Sequence, residues 1–207
     1  MSKPVIMIGN GGHAAVLLEI LIAQKRKILG YTAPEQNKSL FNLPYLGTDE
    51  AIKLYGKNKI DLVLGLGTVS VSLHRKAIFE AFIAHGYSFA NVIHSAAILS
   101  PSVQLGQGIQ IMAGAILQTN AKISDNSIIN TGTIIEHDSS IGKHSHIAPG
   151  TTLSGGVLIG ENCHIGTGTS IIQGISIGDG TLVGAGSVVV NDIVKNKKVY
   201  GVPAKEV

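Results

Sequence analysis

The 207-residue sequence predicts an α/β domain followed by a parallel β-helix, and three observations carry that prediction. Stepping by six from Leu99 meets an aliphatic residue every time: Leu99, Leu105, Ile111, Leu117, Ile123, Ile129, Ile135, Ile141, Ile147, Leu153, Ile159, Ile165, Ile171, Ile177, Val183 and Val189. Two residues before each of these the side chain is usually small, as at Ala97, Ala115, Ser127, Thr133, Ser145, Cys163 and Ser187, with Val103, Ile109, Val157 and Ile175 the larger exceptions. Upstream of this repeat, short apolar runs alternate with helical spacing and end in glycine-rich turns. The predicted organisation is an α/β domain over 1–94, a β-helix over 95–190 and a C-terminal cap over 191–207.

In an extended strand, residues two apart share a face, so every hexapeptide sends one large and one small group inward. Glycine often follows the aliphatic position, at Gly106, Gly142, Gly160, Gly166, Gly178 and Gly184, where a corner is expected. Short strands and permissive corners at a fixed period are the sequence mark of a parallel β-helix. Three hexapeptides close one triangular coil, so residues 18 apart stack at a spacing of roughly 4.8 Å. The unbroken register predicts about five coils with no inserted loop.

In the N-terminal domain, residues 4–8 form a buried strand that runs into Gly9-Asn10-Gly11-Gly12-His13-Ala14. That stretch fits G-x-G-x-x-G/A at the strand-to-helix turn of a Rossmann-like, nucleotide-binding fold. A dinucleotide cofactor would also want an acidic residue near the end of the second strand, and Thr32-Ala33-Pro34 stands there instead. The turn is therefore read as structural or as holding part of a nucleotide-like or sugar substrate. A helix over His13–Arg26, a strand over Lys27–Tyr31 and an edge strand over Leu43–Leu46 follow. Next come a helix capped by Thr48, a strand over Ile60–Leu64 ending in Gly65-Leu66-Gly67, a helix over Ser70–His85 and a strand over Ser88–Ile93.

Composition narrows the function classes. Aromatic residues are only 4% and Trp is absent, although 44% of the chain is hydrophobic, so small aliphatic groups must fill the core. A formal charge of +3 favours neither nucleic acid nor an anionic membrane as a partner. A single cysteine suits a reducing compartment. No apolar run reaches membrane-spanning length and the N-terminus lacks a signal-peptide pattern, so a soluble cytoplasmic protein is expected.

The repeat region carries His137, His144, His146 and His164, none at an inward position and all read as exposed. Cys163 occupies the small inward position before Ile165 and is expected to be a buried, inert thiol rather than a nucleophile.

With these residues in view, the chain resembles the hexapeptide-repeat sugar acetyltransferases that modify nucleotide-linked amino sugars or sialic-acid-type sugars. The likeness rests on the Gly-Asn-Gly-Gly-His-Ala turn, Ile135-Glu136-His137-Asp138, Ser145-His146, Gly178-Asp179-Gly180 through Gly184-Ala185-Gly186, and Gly201-Val202-Pro203-Ala204-Lys205. It implies a left-handed coil, a homotrimer and acetyl-CoA as co-substrate, with no metal. It further implies that His137 is the general base, oriented and made more basic by Asp138. His146 would hydrogen-bond the thioester carbonyl. Thr167 and Ala185 match CoA-contacting positions, in a groove between neighbouring subunits, and Gly11, Gly12 and His13 match acceptor-holding ones. Relatives that use UDP-sugars carry paired acids where this chain has Ala33 and Pro34, which leaves the nucleotide open.

The first functional expectation is N-acetylation of a UDP-4-amino-6-deoxy sugar, and the second is O-acetylation of sialic acid or a related nonulosonate. Two other classes are weighed: a γ-type carbonic anhydrase-like metal enzyme, whose histidine spacing the intervals 7, 2 and 18 do not match, and a purely structural β-helix.

Overall fold

The computed structural model describes residues 2–36 and 42–207. These form two compact units, one running through Gly67 and including Ala77–Val92, the other combining Thr68–Lys76 with Ile93–Val207.

The first unit is built on a three-stranded parallel sheet in the order β2-β1-β3. Strand β1 (Val5–Ile8) is buried throughout, as expected of a central parallel strand with both faces covered. The helix α1 (Gly12–Ala23) buries Ala14, Leu17, Leu18 and Leu21, the i, i+3, i+4, i+7 spacing of one face. It closes with Lys25 at φ 54° and an Arg26 N–H bonded to the Leu21 carbonyl, a Schellman closure with lysine in the place glycine usually holds. Strands β2 (Ile28–Thr32) and β3 (Asp61–Leu64) flank β1. Helix α2 (Leu73–Ala84) starts later than expected and strand β4 (Val92–Ile93) is short.

Three expectations shrink here. The edge strand over Leu43–Leu46 reduces to a single bridge between Tyr45 and Tyr31. The helix after Thr48 is a 3-10 helix over Asp49–Leu54, and Thr48 makes no side-chain cap bond. Six residues cannot repay helix nucleation on their own, so the tighter turn wins. The strand over Ser88–Ile93 splits into the two residues of β4 and a bridge between Phe89 and Leu62, bonded through the Ser88 carbonyl and the Ala90 N–H.

In the second unit the hexapeptide register holds without interruption. Two-residue strands run from Ile98–Leu99 to Val188–Val189, and each as far as Ser170–Ile171 pairs in parallel with the strand 18 residues on, as Ile128–Ile129 does with His146–Ile147. They build three sheets, and the aliphatic positions from Ile111 to Val189 are nearly all at or below 2% exposure, with Ile159 at 4%. Each buried aliphatic side chain is worth at most about 1.5–3 kcal/mol, so a column of them supplies the stability that aromatic residues would give elsewhere.

The small inward residues have their own regularity. Their hydroxyls reach the carbonyl 15 residues ahead: Ser127 to Gly142 at 2.9 Å, Ser145 to Gly160 at 2.8 Å, Thr151 to Gly166 and Thr169 to Gly184 at 3.1 Å. A buried hydroxyl without such a partner would cost free energy, and here the coil above supplies it.

The left-handed backbone positions fall three residues after the aliphatic one, at Asn120, Asn126, Gly132, Asp138, His144 and onward. The glycines that directly follow the aliphatic position serve another purpose. A Cβ on Gly142 would lie 2.5 Å from Gly160 carbonyl atoms, and one on Gly166 2.5 Å from the Ala185 nitrogen. They allow close stacking of successive coils, whereas the corner lies two residues further on.

The expected C-terminal cap begins by continuing the stack. Ile193 bridges Ile177 and Lys198–Tyr200 pairs in parallel with Leu182–Val183 before Lys205–Glu206 turns back antiparallel. Among the described residues no helix is long and apolar enough to cross a membrane.

Candidate active site

His137 and Asp138 stand at a corner of the β-helix, between the strands Ile134–Ile135 and Ser140–Ile141. Asp138 has φ 60°, a conformation that Asp and Asn tolerate better than most residues. Its N–H bonds the Thr119 carbonyl, and the His137 carbonyl accepts from the Gly156 N–H, so coils on both sides hold the turn. Both side chains are exposed, and His137 Nδ1 lies 2.8 Å from Asp138 Oδ2. Hydrogen bonds from His137, then from Asn120, hold the Asp138 carboxyl below its ordinary range. A carboxylate can only accept, so Nδ1 carries the proton and, in the neutral ring, Nε2 holds the lone pair. That is the tautomer a general base needs.

His146 lies on a different sheet from both strands that flank His137, Ile134–Ile135 and Ser140–Ile141. The expectation that His146 and His164 are exposed is overturned: they are 7% and 8% exposed. Thr68 lies against His146, with its carbonyl and its hydroxyl each 3.0 Å from Nδ1. The carbonyl has no proton to give, so Nδ1 donates. On the other side Asn130 Nδ2 is 3.0 Å from Nε2, while Asn130 Oδ1 accepts the Thr131 N–H at 2.8 Å. The amide orientation is thereby set, and His146 is a neutral Nδ1–H imidazole with both ring nitrogens engaged. His164, stacked edge to face at 5.1 Å, is pushed below its usual pKa by burial.

Thr167 and Ala185 are exposed at one corner and stack, with the Gly186 N–H bonded to the Thr167 carbonyl at 2.8 Å. Gly11, Gly12 and His13 belong to the other unit, at the start of α1. Gly11 is the extended N-cap residue, no side chain caps the helix, and a Cβ on Gly11 or Gly12 would meet open space. That leaves room for another group to approach the start of the helix closely.

Cys163 is buried and free, with Sγ directed at the Gly178 carbonyl at 3.2 Å, in the same place that Ser145 uses toward Gly160. Burial pushes its thiol up to about 11, so it carries no useful thiolate at neutral pH. Among the described residues no three His, Cys, Asp or Glu side chains gather as a metal-holding group. Residue-by-residue reading missed Asn120, Asn130 and Thr68. Asn120 was recoverable, because it stands 18 before Asp138.

An imidazole paired through Nδ1 with a carboxylate, at the corner of a hexapeptide β-helix, points to an acyltransferase-like class. Residues 120–155 and 156–191 match the model for the bacterial transferase hexapeptide (six repeats), and residues 4–82 match the PglD N-terminal domain. The structure is similar to PerB from Caulobacter crescentus, solved in complex with CoA and GDP-perosamine: 35% identity, 99% of this chain and 97% of that one, TM-score 0.91. A perosamine N-acetyltransferase from the same organism with a histidine-to-asparagine change, also with CoA and GDP-perosamine, superimposes with a TM-score of 0.93 at 35% identity, over 99% of this chain and 97% of that one. The acetyltransferase domain of PglB from Neisseria gonorrhoeae, in complex with acetyl coenzyme A, is 32% identical over the full length of both chains, TM-score 0.93. No curated protein sequence matches. The chain belongs to the hexapeptide-repeat, acetyl-CoA-dependent sugar N-acetyltransferases.

Proposed function

We propose that this enzyme acetylates the amino group of a nucleotide-linked amino sugar by direct attack on acetyl-CoA, with His137 as general base. The observation that carries the reading is the 2.8 Å contact from His137 Nδ1 to Asp138, which leaves Nε2 ready to accept a proton. As the sugar nitrogen bonds to the acetyl carbon, Nε2 takes the amine proton, and the imidazolium then returns it to the departing CoA sulfur. Asp138 stabilises that imidazolium. Thr167 and Ala185 contact CoA along a groove between subunits of a homotrimer, so that His137 of one subunit meets the thioester held beside the next. Gly11, Gly12 and His13 hold the acceptor. For His146 to donate to the thioester carbonyl, its Nε2 must become a donor, which requires the Asn130 amide to turn.

The nucleotide is the open choice. A UDP-4-amino-6-deoxy sugar is the first expectation from resemblance. Ala33 and Pro34 in place of paired acids, together with a relative that binds GDP-perosamine at 35% identity, favour a GDP-linked acceptor. The test is CoA thiol release from acetyl-CoA with GDP-perosamine, a UDP-4-amino-6-deoxy sugar and sialic acid in parallel. Release with either amino sugar supports the proposal and names the nucleotide. Release with sialic acid alone moves the assignment to O-acetylation, and silence with all three removes both. In the active pairing, His137→Ala is expected to lower kcat on the order of a hundredfold or more while leaving the assembly intact.

A further inference from the structure

The His137–Asp138 pair is held from the coil on either side. Eighteen residues before Asp138, Asn120 adopts the same left-handed conformation, φ 61°, and its Nδ2 donates to Asp138 Oδ1 at 3.0 Å. Asn120 is itself tied down, its N–H donating to Ser102 Oγ at 2.9 Å. The two carboxylate oxygens thus have separate partners, Oδ1 facing Asn120 and Oδ2 facing His137. Without the amide, Asp138 is an exposed side chain free to rotate away from the imidazole.

Eighteen residues after His137 stands Gly155. Its backbone lies outside the left-handed region, so its own conformation does not call for glycine. Space does: a Cβ there would lie 2.6 Å from both Cε1 and Nε2 of His137. The imidazole edge that bears the lone pair rests over a residue with no side chain, and any other residue type would push it off.

We propose that Asn120 and Gly155 are positioning residues, the first fixing the Asp138 carboxylate and the second the plane of the His137 ring. This rests on the reading of His137 as general base. A misplacement of about 1 Å in a reacting group can cost on the order of a hundredfold, so groups that only place the imidazole should register in kcat.

Two substitutions test Asn120 without disturbing the backbone, because Gly and Asp both tolerate its left-handed conformation. Asn120→Gly removes the amide, and kcat is expected to fall about tenfold with KM for both substrates unchanged. The freed carboxylate also supports the imidazolium less well, so the acid limb of the pH profile moves down. Asn120→Asp adds a second negative charge, which favours imidazolium, and the acid limb moves up. Opposite shifts from two changes at one site are not produced by a purely structural role. Gly155→Ala is expected to lower kcat ten- to a hundredfold with an unchanged melting temperature.

His137→Ala, measured alongside, separates the two readings. If it is inactive while Asn120→Gly and Gly155→Ala keep full kcat, the positioning proposal is wrong and the general base stands. If it is fully active, both fall. Titration of the His137 ring by NMR reads the same opposite shifts without any acceptor, and identical titration curves in all three Asn120 proteins would overturn the proposal.

Discussion

Asp138 Oδ2 accepts from His137 Nδ1 across 2.8 Å, between residues adjacent in sequence at a corner where Asp138 takes φ 60°. Neighbours in an extended strand point to opposite faces, so this pairing exists only because the chain turns there. The corner converts a sequence dipeptide into an oriented acid-base pair.

Asp138→Asn keeps the left-handed turn and removes the charge. The amide can present either its oxygen or its nitrogen to Nδ1, so part of the population holds the wrong tautomer. We expect kcat to fall on the order of ten- to a hundredfold and the acid limb of kcat/KM to move to lower pH, as an imidazolium loses its carboxylate. A pH-rate profile checks both, and an unmoved acid limb would show that Asp138 does not act on His137.

Cys163→Ser should leave activity close to that of the unaltered enzyme. The serine hydroxyl inherits the bond to the Gly178 carbonyl that the thiol makes at 3.2 Å, just as Ser145 already bonds Gly160. Native protein should also resist thiol reagents, because the thiol is buried and its pKa stands at about 11. Rapid alkylation with loss of turnover would contradict this.

His164 gives stability a pH dependence. Burial lowers its folded pKa below the ordinary 6.5. Below about 6.5 the unfolded chain therefore binds a proton that the folded chain does not, and stability falls as pH drops through that window. Above it the residue contributes no slope. Urea midpoints between pH 7.5 and 5 should decline less steeply for His164→Gln than for the unaltered protein; parallel declines would assign the effect elsewhere.

Two glycines separate close packing from backbone conformation. Gly142→Ala drives a Cβ to 2.5 Å from the backbone of Gly160 and should cost about 1–3 kcal/mol or more. Gly132→Ala meets open space and costs only what a left-handed conformation at φ 66° costs alanine, about 1 kcal/mol. Chemical denaturation of both variants measures the difference, and equal losses would mean that stacking distance is not what selects glycine after the aliphatic position.

The β-helix was legible from the sequence because its contacts are translations: every residue meets the one 18 away, so the period names the partner. That arithmetic determined the inward aliphatic column, the inert position of Cys163 and the outward direction of His137, and the period of 18 connects Asp138 to Asn120 and His137 to Gly155. Tertiary structure alone decided the environment of His146 and His164. Thr68 is 78 residues from His146 in the chain, and no periodicity connects them, yet it settles the burial and the tautomer of that ring. It also decided that Ser88–Ile93 would split into a bridge and a two-residue strand, and that the segment after Thr48 would tighten into a 3-10 turn. Local pattern encodes contacts that repeat, whereas contacts made once, between distant segments, depend on packing that no single stretch of sequence carries.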